Sequence, residues 1–188
     1  MSTPRCGVPD INLEQTSNYV LINKTKYKWS KHGLTYNYLS NSSQVPNLAQ
    51  FKQAIARAFA TWRSASKFTF SEVKGGTADI GIGFYRKDHG DGAPFDGPSR
   101  PGFRNVLAHA TPAQARSVYL HFDAEDNWSF NPTSLFEFDV QSIALHEIGH
   151  NLGLGHSAVT TAVMFADYTG ERRTLDPDDI AGITELYK

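Results

Sequence analysis

One cysteine, Cys6, stands in 188 residues, so no intrachain disulfide can form and the redox compartment cannot be read from pairing. No apolar run approaches the roughly 20 residues of a membrane span, and no stretch has the order of a secretory signal. The chain as given is therefore expected to be soluble. Neither sign of charge predominates: 18 basic against 19 acidic side chains give a net charge of −1. That balance leaves no basic stripe for nucleic acid or an anionic membrane. Repeats and low-complexity tracts are absent too. What remains is an ordinary 40% apolar content, enough for one domain with a proper core.

Against this bland background, residues 146–156 stand out. His146 and His150 lie four apart, and on a helix over 139–152 both face one way and can grip a single metal, with Glu147 beside them. Gly153 can take the left-handed conformation that ends a helix, which would turn the chain back and deliver His156 as a third ligand. Three protein ligands leave the fourth tetrahedral position of zinc to water, which the metal acidifies towards a pKa of about 7. A bare His-Glu-x-x-His arises by chance on ordinary helices. The added glycine and third histidine require several independent coincidences.

The remainder of the chain reads as alternating strands and helices. Residues 34–39, 68–73, 78–85, 106–111 and 117–123 have strand composition, and Gly81 and Gly83 alternate with Ile80, Ile82 and Phe84 within one of them, not as a phosphate loop. Asn47 can cap a helix whose Phe51, Ile55, Ala58, Phe59 and Trp62 recur at helical spacing and belong in the core. A terminal helix starts near Asp176. Residues 1–30 read as polar and irregular, and residues 86–105 form a loop too long to be a plain connection.

The zinc segment resembles that of the matrixins, a family of metzincin peptidases, and the resemblance covers nearly the whole chain. Ser157 follows His156 as it does in matrixins, and Met164 stands where a Met-turn is expected beneath the three histidines. Pro4-Arg5-Cys6-Gly7-Val8-Pro9-Asp10 is similar to the family's cysteine switch. His89-Gly90-Asp91-Gly92-Ala93-Pro94-Phe95-Asp96-Gly97-Pro98 is similar to its metal loop, and Leu107-Ala108-His109-Ala110 to its substrate-edge strand. His121-Phe122-Asp123-Ala124-Glu125-Asp126-Asn127-Trp128 completes the set. The wording of the last helix and the short leader are similar to plant matrixins.

The resemblance implies an α+β metzincin (zincin-like) fold, a twisted mixed five-stranded sheet with three helices. It divides the chain into a pro-segment remnant and linker over 1–30 and a catalytic domain over 31–188. It implies a structural zinc on His89, Asp91, His109 and His121, a closed set of three nitrogens and one oxygen. It also implies Ca2+ on the carboxylates of Asp96, Asp123 and Asp126, with carbonyls near Gly97 and Val106 completing the shell. Leu107 and Ala108 would pair with an extended peptide or protein substrate, and Ser142 and Tyr168 would line a pocket wide enough for Leu or an aromatic. Asp178 would receive a freed amino terminus, unless it only serves the helix dipole. Cys6 would be the latent-state zinc ligand, leakily so, with Arg5 and Asp10 as a supporting ion pair. Secretion is implied, with sequons at Asn23, Asn41 and Asn127 in accord; a monomer, and protein inhibitors of metalloproteinases as partners, are also expected.

Four departures from the family pattern are visible. Residues 99–104 lengthen the metal loop by about five positions, which unsettles the carbonyl ligands. Asp126 is one methylene shorter than the usual Glu, Ala166 stands where a proline is usual, and residues 111–119 offer no acidic partner to Asp79 for a second calcium. The expected chemistry is peptide hydrolysis with Glu147 as the proton carrier. A non-catalytic zinc- and calcium-stabilised binding module is the alternative from another class, and the retained Glu147 speaks against it. An astacin-like or adamalysin-like peptidase is disfavoured by Ser157 and the Cys6 segment.

Overall fold

The computed structural model describes residues 3–8, 13–16, 19–22, 26–39, 47–100, 102–115 and 117–188. Asp10, Asn23 and Asn41, named above, lie outside them. Ten strands and three helices occur among the described residues: β1 (Arg5–Cys6), β2 (Leu13–Thr16), β3 (Tyr19–Ile22), β4 (Gly33–Tyr38), α1 (Leu48–Ser64), β5 (Thr69–Glu72), β6 (Ile80–Tyr85), β7 (Val106–Ala110), β8 (Tyr119–Asp123), β9 (Trp128–Ser129), β10 (Phe138–Asp139), α2 (Val140–Asn151) and α3 (Pro177–Leu186).

The five expected strands form one mixed sheet, and β1 joins it as a sixth, in the order β1-β7-β8-β6-β4-β5. Only the β7–β8 pair is antiparallel. Without β1, strand β7 would be a bare edge, and its unpaired amides and carbonyls invite another chain to pair. Helix α1 is capped by Asn47, whose side chain accepts from the Gln50 amide at 3.1 Å, and it buries Phe51, Ile55, Ala58, Phe59 and Trp62 as its spacing requires. Phe51 meets Phe84 and Phe122 of the sheet edge-on. Trp62 donates its indole N–H to the Leu145 carbonyl at 2.7 Å, fixing α1 against α2.

Helix α2 is buried on every side, which is why its sequence shows no amphipathic stripe. Asp139 caps it by accepting from the Ser142 amide at 2.9 Å. At the other end Leu154 N–H reaches the Gly149 carbonyl and Gly153 N–H the His150 carbonyl, with Gly153 at φ +101°, the paired bonds of a Schellman termination. A side chain at 153 would also strike the Tyr27 carbonyl, 2.3 Å from an added Cβ.

Two features differ from the sequence expectation. Residues 13–22 contain an antiparallel pair, β2 with β3, where irregular chain was expected. The apolar run Tyr19-Val20-Leu21-Ile22 carried the signal: Leu21 is fully buried and bridges to Leu154, so hydrophobic burial holds this segment on the domain. Trp29 is likewise stitched down, its indole N–H to the Asn151 carbonyl and its amide to the Tyr187 hydroxyl.

Candidate metal centres and cleft

Helix α2 carries His146 and His150 one turn apart, and the Schellman turn brings His156 back to them. The Nε2 atoms of His146 and His156 lie 3.1 and 3.2 Å from that of His150, and Cys6 Sγ lies 3.4 Å from it. All four ligand atoms fall within 4.8 Å of one another, and all four residues are buried. The imidazoles are fixed from behind, since His146 Nδ1 sits 2.6 Å from the Val163 carbonyl and His150 Nδ1 2.8 Å from that of Leu154. A carbonyl can only accept, so each Nδ1 carries the proton and each Nε2 presents a lone pair. Lone pairs crowded at such distances repel unless a cation lies between them. Tetrahedral zinc with bonds of about 2.0–2.1 Å separates its nitrogens by about 3.3 Å, so the donor set fits zinc.

Burial, reinforced by the neighbouring imidazoles, pushes His146 down to about 3 and His150 well below the usual range, so both are neutral and able to ligate. Glu147 is buried beside them, with Oε2 unpartnered and its carboxyl pushed up to about 8 by desolvation. Desolvation and the Glu147 charge raise the Cys6 thiol as well.

Met164 lies beneath this cluster as expected. It packs onto Gly149, where an added Cβ would lie 2.3 Å from its sulfur and 3.0 Å from Trp62. The turn is positioned by Asp179, whose carboxylate accepts from the amides of Val163 at 2.8 Å and Met164 at 3.0 Å. Sequence reasoning missed Asp179; its place in the α3 capping box with Asp176 was the available signal. Asp178 accepts a 2.6 Å hydrogen bond from the Ser157 hydroxyl.

The second expected set also converges. Asp91 Oδ2 stands 2.9 Å from His89 Nε2, 2.8 Å from His109 Nε2 and 3.1 Å from His121 Nδ1. Burial alone would raise the Asp91 carboxyl, but the Ala93 amide and the imidazoles hold it well below the usual range, while burial and His109 push His121 down to about 4. Three imidazole nitrogens around one carboxylate oxygen make a closed tetrahedral donor set.

The calcium residues are less tightly gathered. Asp123 and Asp126 are buried and each has an unpartnered Oδ2. Burial pushes Asp126 up to about 7. The lengthened loop supplies Ser99, whose amide donates to Asp126 at 2.7 Å, and the Val106 amide donates to Asp96 at 3.1 Å. Gly97 is at φ +90°. Glu125, not expected in the set, is ion-paired with Lys87 at 3.3 Å. Buried carboxylates with orphan oxygens suit a hard cation. Asp79 is instead satisfied by Lys31 at 2.7 Å and by the amide and hydroxyl of Thr35, which accords with its lack of an acidic partner.

Between β7 and residues 165–168 runs a cleft occupied by the Cys6 segment. Arg5 N–H donates to the Asn105 carbonyl and Gly7 N–H to that of Ala108 on one wall. Cys6 N–H donates to the Ala166 carbonyl, and Tyr168 N–H to that of Pro4, on the other. Arg5, Leu107, Ser142, His146, Glu147, Ala166, Tyr168 and Arg172 are among the residues lining the adjoining pocket. Ser142 is tied down, donating to Asp139 at 2.5 Å and accepting the Arg172 amide at 2.8 Å.

A mixed sheet beside the cleft, a buried helix bearing two histidines, a glycine turn bearing the third and a methionine packed on that helix are the features of a metzincin-type fold. Residues 28–188 match the matrixin family of M10 peptidases, and the chain belongs to that family. It is 39% identical to matrilysin of Rattus norvegicus, 38% to neutrophil collagenase of Homo sapiens and 40% to metalloendoproteinase 1-MMP of Arabidopsis thaliana, in each case over the whole of this chain. It spans 66%, 38% and 53% of those proteins respectively. Matrixins bind zinc and calcium, and the two histidine clusters here are able to hold metal. Among the described residues no helix is long and apolar enough to cross a membrane.

Proposed function

We propose that the chain is a zinc-dependent endopeptidase acting on extracellular proteins, with His146, His150 and His156 holding the catalytic zinc and His89, Asp91, His109 and His121 a structural one. Asp96, Asp123 and Asp126, with carbonyls near Gly97 and Val106, would hold calcium. The observation that carries the reading is the convergence of three imidazole lone pairs beside a buried carboxyl with a free oxygen. Zinc bound there would act as a Lewis acid towards water and a peptide carbonyl.

Glu147 does the proton work. Buried beside the three imidazoles with Oε2 free of any protein partner, its carboxylate can take a proton from the attacking water and return it to the departing amine. Leu107 and Ala108 on one wall and residues 166–168 on the other would pair with an extended peptide, as Ala108, Ala166 and Tyr168 already do with the Cys6 segment. Protein inhibitors that present an extended strand would use the same groups.

The domain proper covers 31–188, and residues 1–30 serve as pro-segment and linker. Cys6 at the cluster makes this the latent arrangement, and secretion as a monomer completes the reading. Latency should be incomplete, because tethering gives the Cys6 segment only a finite effective concentration, of about millimolar order, against substrate. Hydrolysis of a quenched peptide that stops on chelation, returns with zinc and falls by about 10²–10⁴ in Glu147→Ala is the expected result. Unchanged hydrolysis in Glu147→Ala would refute it.

A further inference from the structure

We propose that Arg172 sets the selectivity of the pocket beside the catalytic cluster, favouring a substrate side chain that ends in a carboxylate or carboxamide over a purely aliphatic one. The inference deepens the endopeptidase reading and rests on it.

The pocket walls are largely apolar, with Leu107, Ile143, Val163 and Phe165 among them, and Arg172 is the cation of the catalytic domain that lines it. Its guanidinium lies with Cζ 5.5 Å from the Phe165 ring centre, and it donates to the Asp167 and Thr160 carbonyls at 3.2 and 2.8 Å and to the Thr169 hydroxyl. Every one of these partners is neutral. Among the described residues no carboxylate forms an ion pair with Arg172, whereas the adjacent Arg173 has Asp139 and Glu171, and Arg104 has Asp167. This half-buried positive charge thus touches only dipoles, and the carboxylates of Asp179 and Asp167 act on it from beyond ion-pair distance.

Guanidinium carries five donors; here Nη2 spends two on Thr160 and Thr169 and Nη1 one on Asp167, which leaves one on Nε and one on Nη1 for single bonds to a carboxylate or carboxamide oxygen. Charge-assisted bonds of this kind are about twice as strong as neutral ones. Glu or Gln would lay its methylenes along the apolar walls and bring its polar end to Arg172. Leu would fill the walls and leave the spare donors without a partner, and Lys or Arg would be repelled. Ser142 offers no competing donor, because Asp139 and the Arg172 amide already hold its hydroxyl. Its small size alone suggests a pocket for Leu or an aromatic; the nearby charge comes from a residue 30 positions downstream, beyond the reach of local spacing.

The test uses a peptide series that differs only at the pocket residue, Leu, Gln, Glu or Lys, with the full chain, Arg172→Leu and Arg172→Lys. The tethered Cys6 segment competes equally with every peptide, so ratios between peptides do not depend on it. The kcat/KM ratio of Glu to Leu peptide should fall at least about tenfold in Arg172→Leu, and less in Arg172→Lys. Fluorescence-anisotropy binding of the Glu and Leu peptides to Glu147→Gln, with and without Arg172→Leu, gives the same ratio without turnover. A ratio unchanged by Arg172→Leu, in a variant that melts like the parent, overturns the inference. Absence of hydrolysis with binding selectivity intact would instead count against the endopeptidase reading alone.

Discussion

Gly149 shows how one missing methyl supports the zinc cluster. It lies between His146 and His150 on α2, and Met164 and Trp62 fill the space a Cβ would take. Gly149→Ala would gain up to about 1 kcal/mol of helix propensity. Overpacking a buried site costs about 1–3 kcal/mol, and Trp62 cannot retreat, since its indole is bonded to Leu145. We expect a net loss of about 1–2 kcal/mol in urea unfolding, with weaker zinc retention. Gly81 is the contrast: its added Cβ meets only the tip of Leu39, which is 50% exposed and free to swing. Gly81→Ala should therefore unfold within about 0.5 kcal/mol of the parent. At this scale the sequence was most legible in the ligands, because helical spacing and a glycine stop are local facts. Asp179 and Arg172 were not legible, because they act through contacts with elements distant in sequence.

At the scale of elements, α3 and the leading segment hold the zinc turn from outside. Tyr187, just past α3, donates its hydroxyl to the Leu152 carbonyl at 2.8 Å and accepts the Trp29 amide at 3.1 Å. Burial pushes its pKa up to about 12 from an ordinary 10. A pKa raised on folding means that the native state holds the proton more tightly. The stabilisation is therefore complete below pH 10 and is lost as pH rises towards 12. Urea unfolding should show the parent losing about 1–2 kcal/mol more than Tyr187→Phe between pH 9 and 12, the variant being about 1 kcal/mol weaker at pH 7. Strand β1 is the second outside element. Cys6→Ala removes the thiol beside His150 but keeps the main-chain bonds to Asn105, Ala108 and Ala166. Its initial hydrolysis should exceed the parent's while remaining below that of fully trimmed protein, and thiol reagents should no longer stimulate it. Equal initial rates in the parent and Cys6→Ala would mean that the thiol contributes nothing to latency. Of these elements, α1, α2 and the five sheet strands were readable from apolar period and caps; β3 had its signal in the apolar run 19–22, whereas β1, two residues long, has no local signature.

In the whole molecule one strand, β7, serves the pocket, the cleft and the second histidine cluster. Leu107 lines the pocket, the Ala108 carbonyl binds the occupant of the cleft, and His109 lies 2.8 Å from Asp91 in the second cluster. His89 and Asp91 belong to the long loop over 86–105, so that cluster ties the loop to β7 and β8. The exposed Arg104–Asp167 and Lys87–Glu125 pairs are of the kind that contributes about 0–1 kcal/mol, and the loop's other ties are Phe95, buried and stacked on His109, and the bonds of Asp96 and Ser99 around the proposed calcium site. Structural zinc sites feed their binding energy into folding. His121→Ala should therefore leave α1 and α2 protected while hydrogen exchange quickens over residues 86–105 and along β7. Because the cleft shares that strand, KM for an extended peptide should rise more than kcat falls. The opposite split, a lower kcat at constant KM, would show that the second cluster acts on the chemistry and not on the substrate edge. Uniform loss of exchange protection throughout the molecule would show that it stabilises the domain as a whole and has no special hold on the loop.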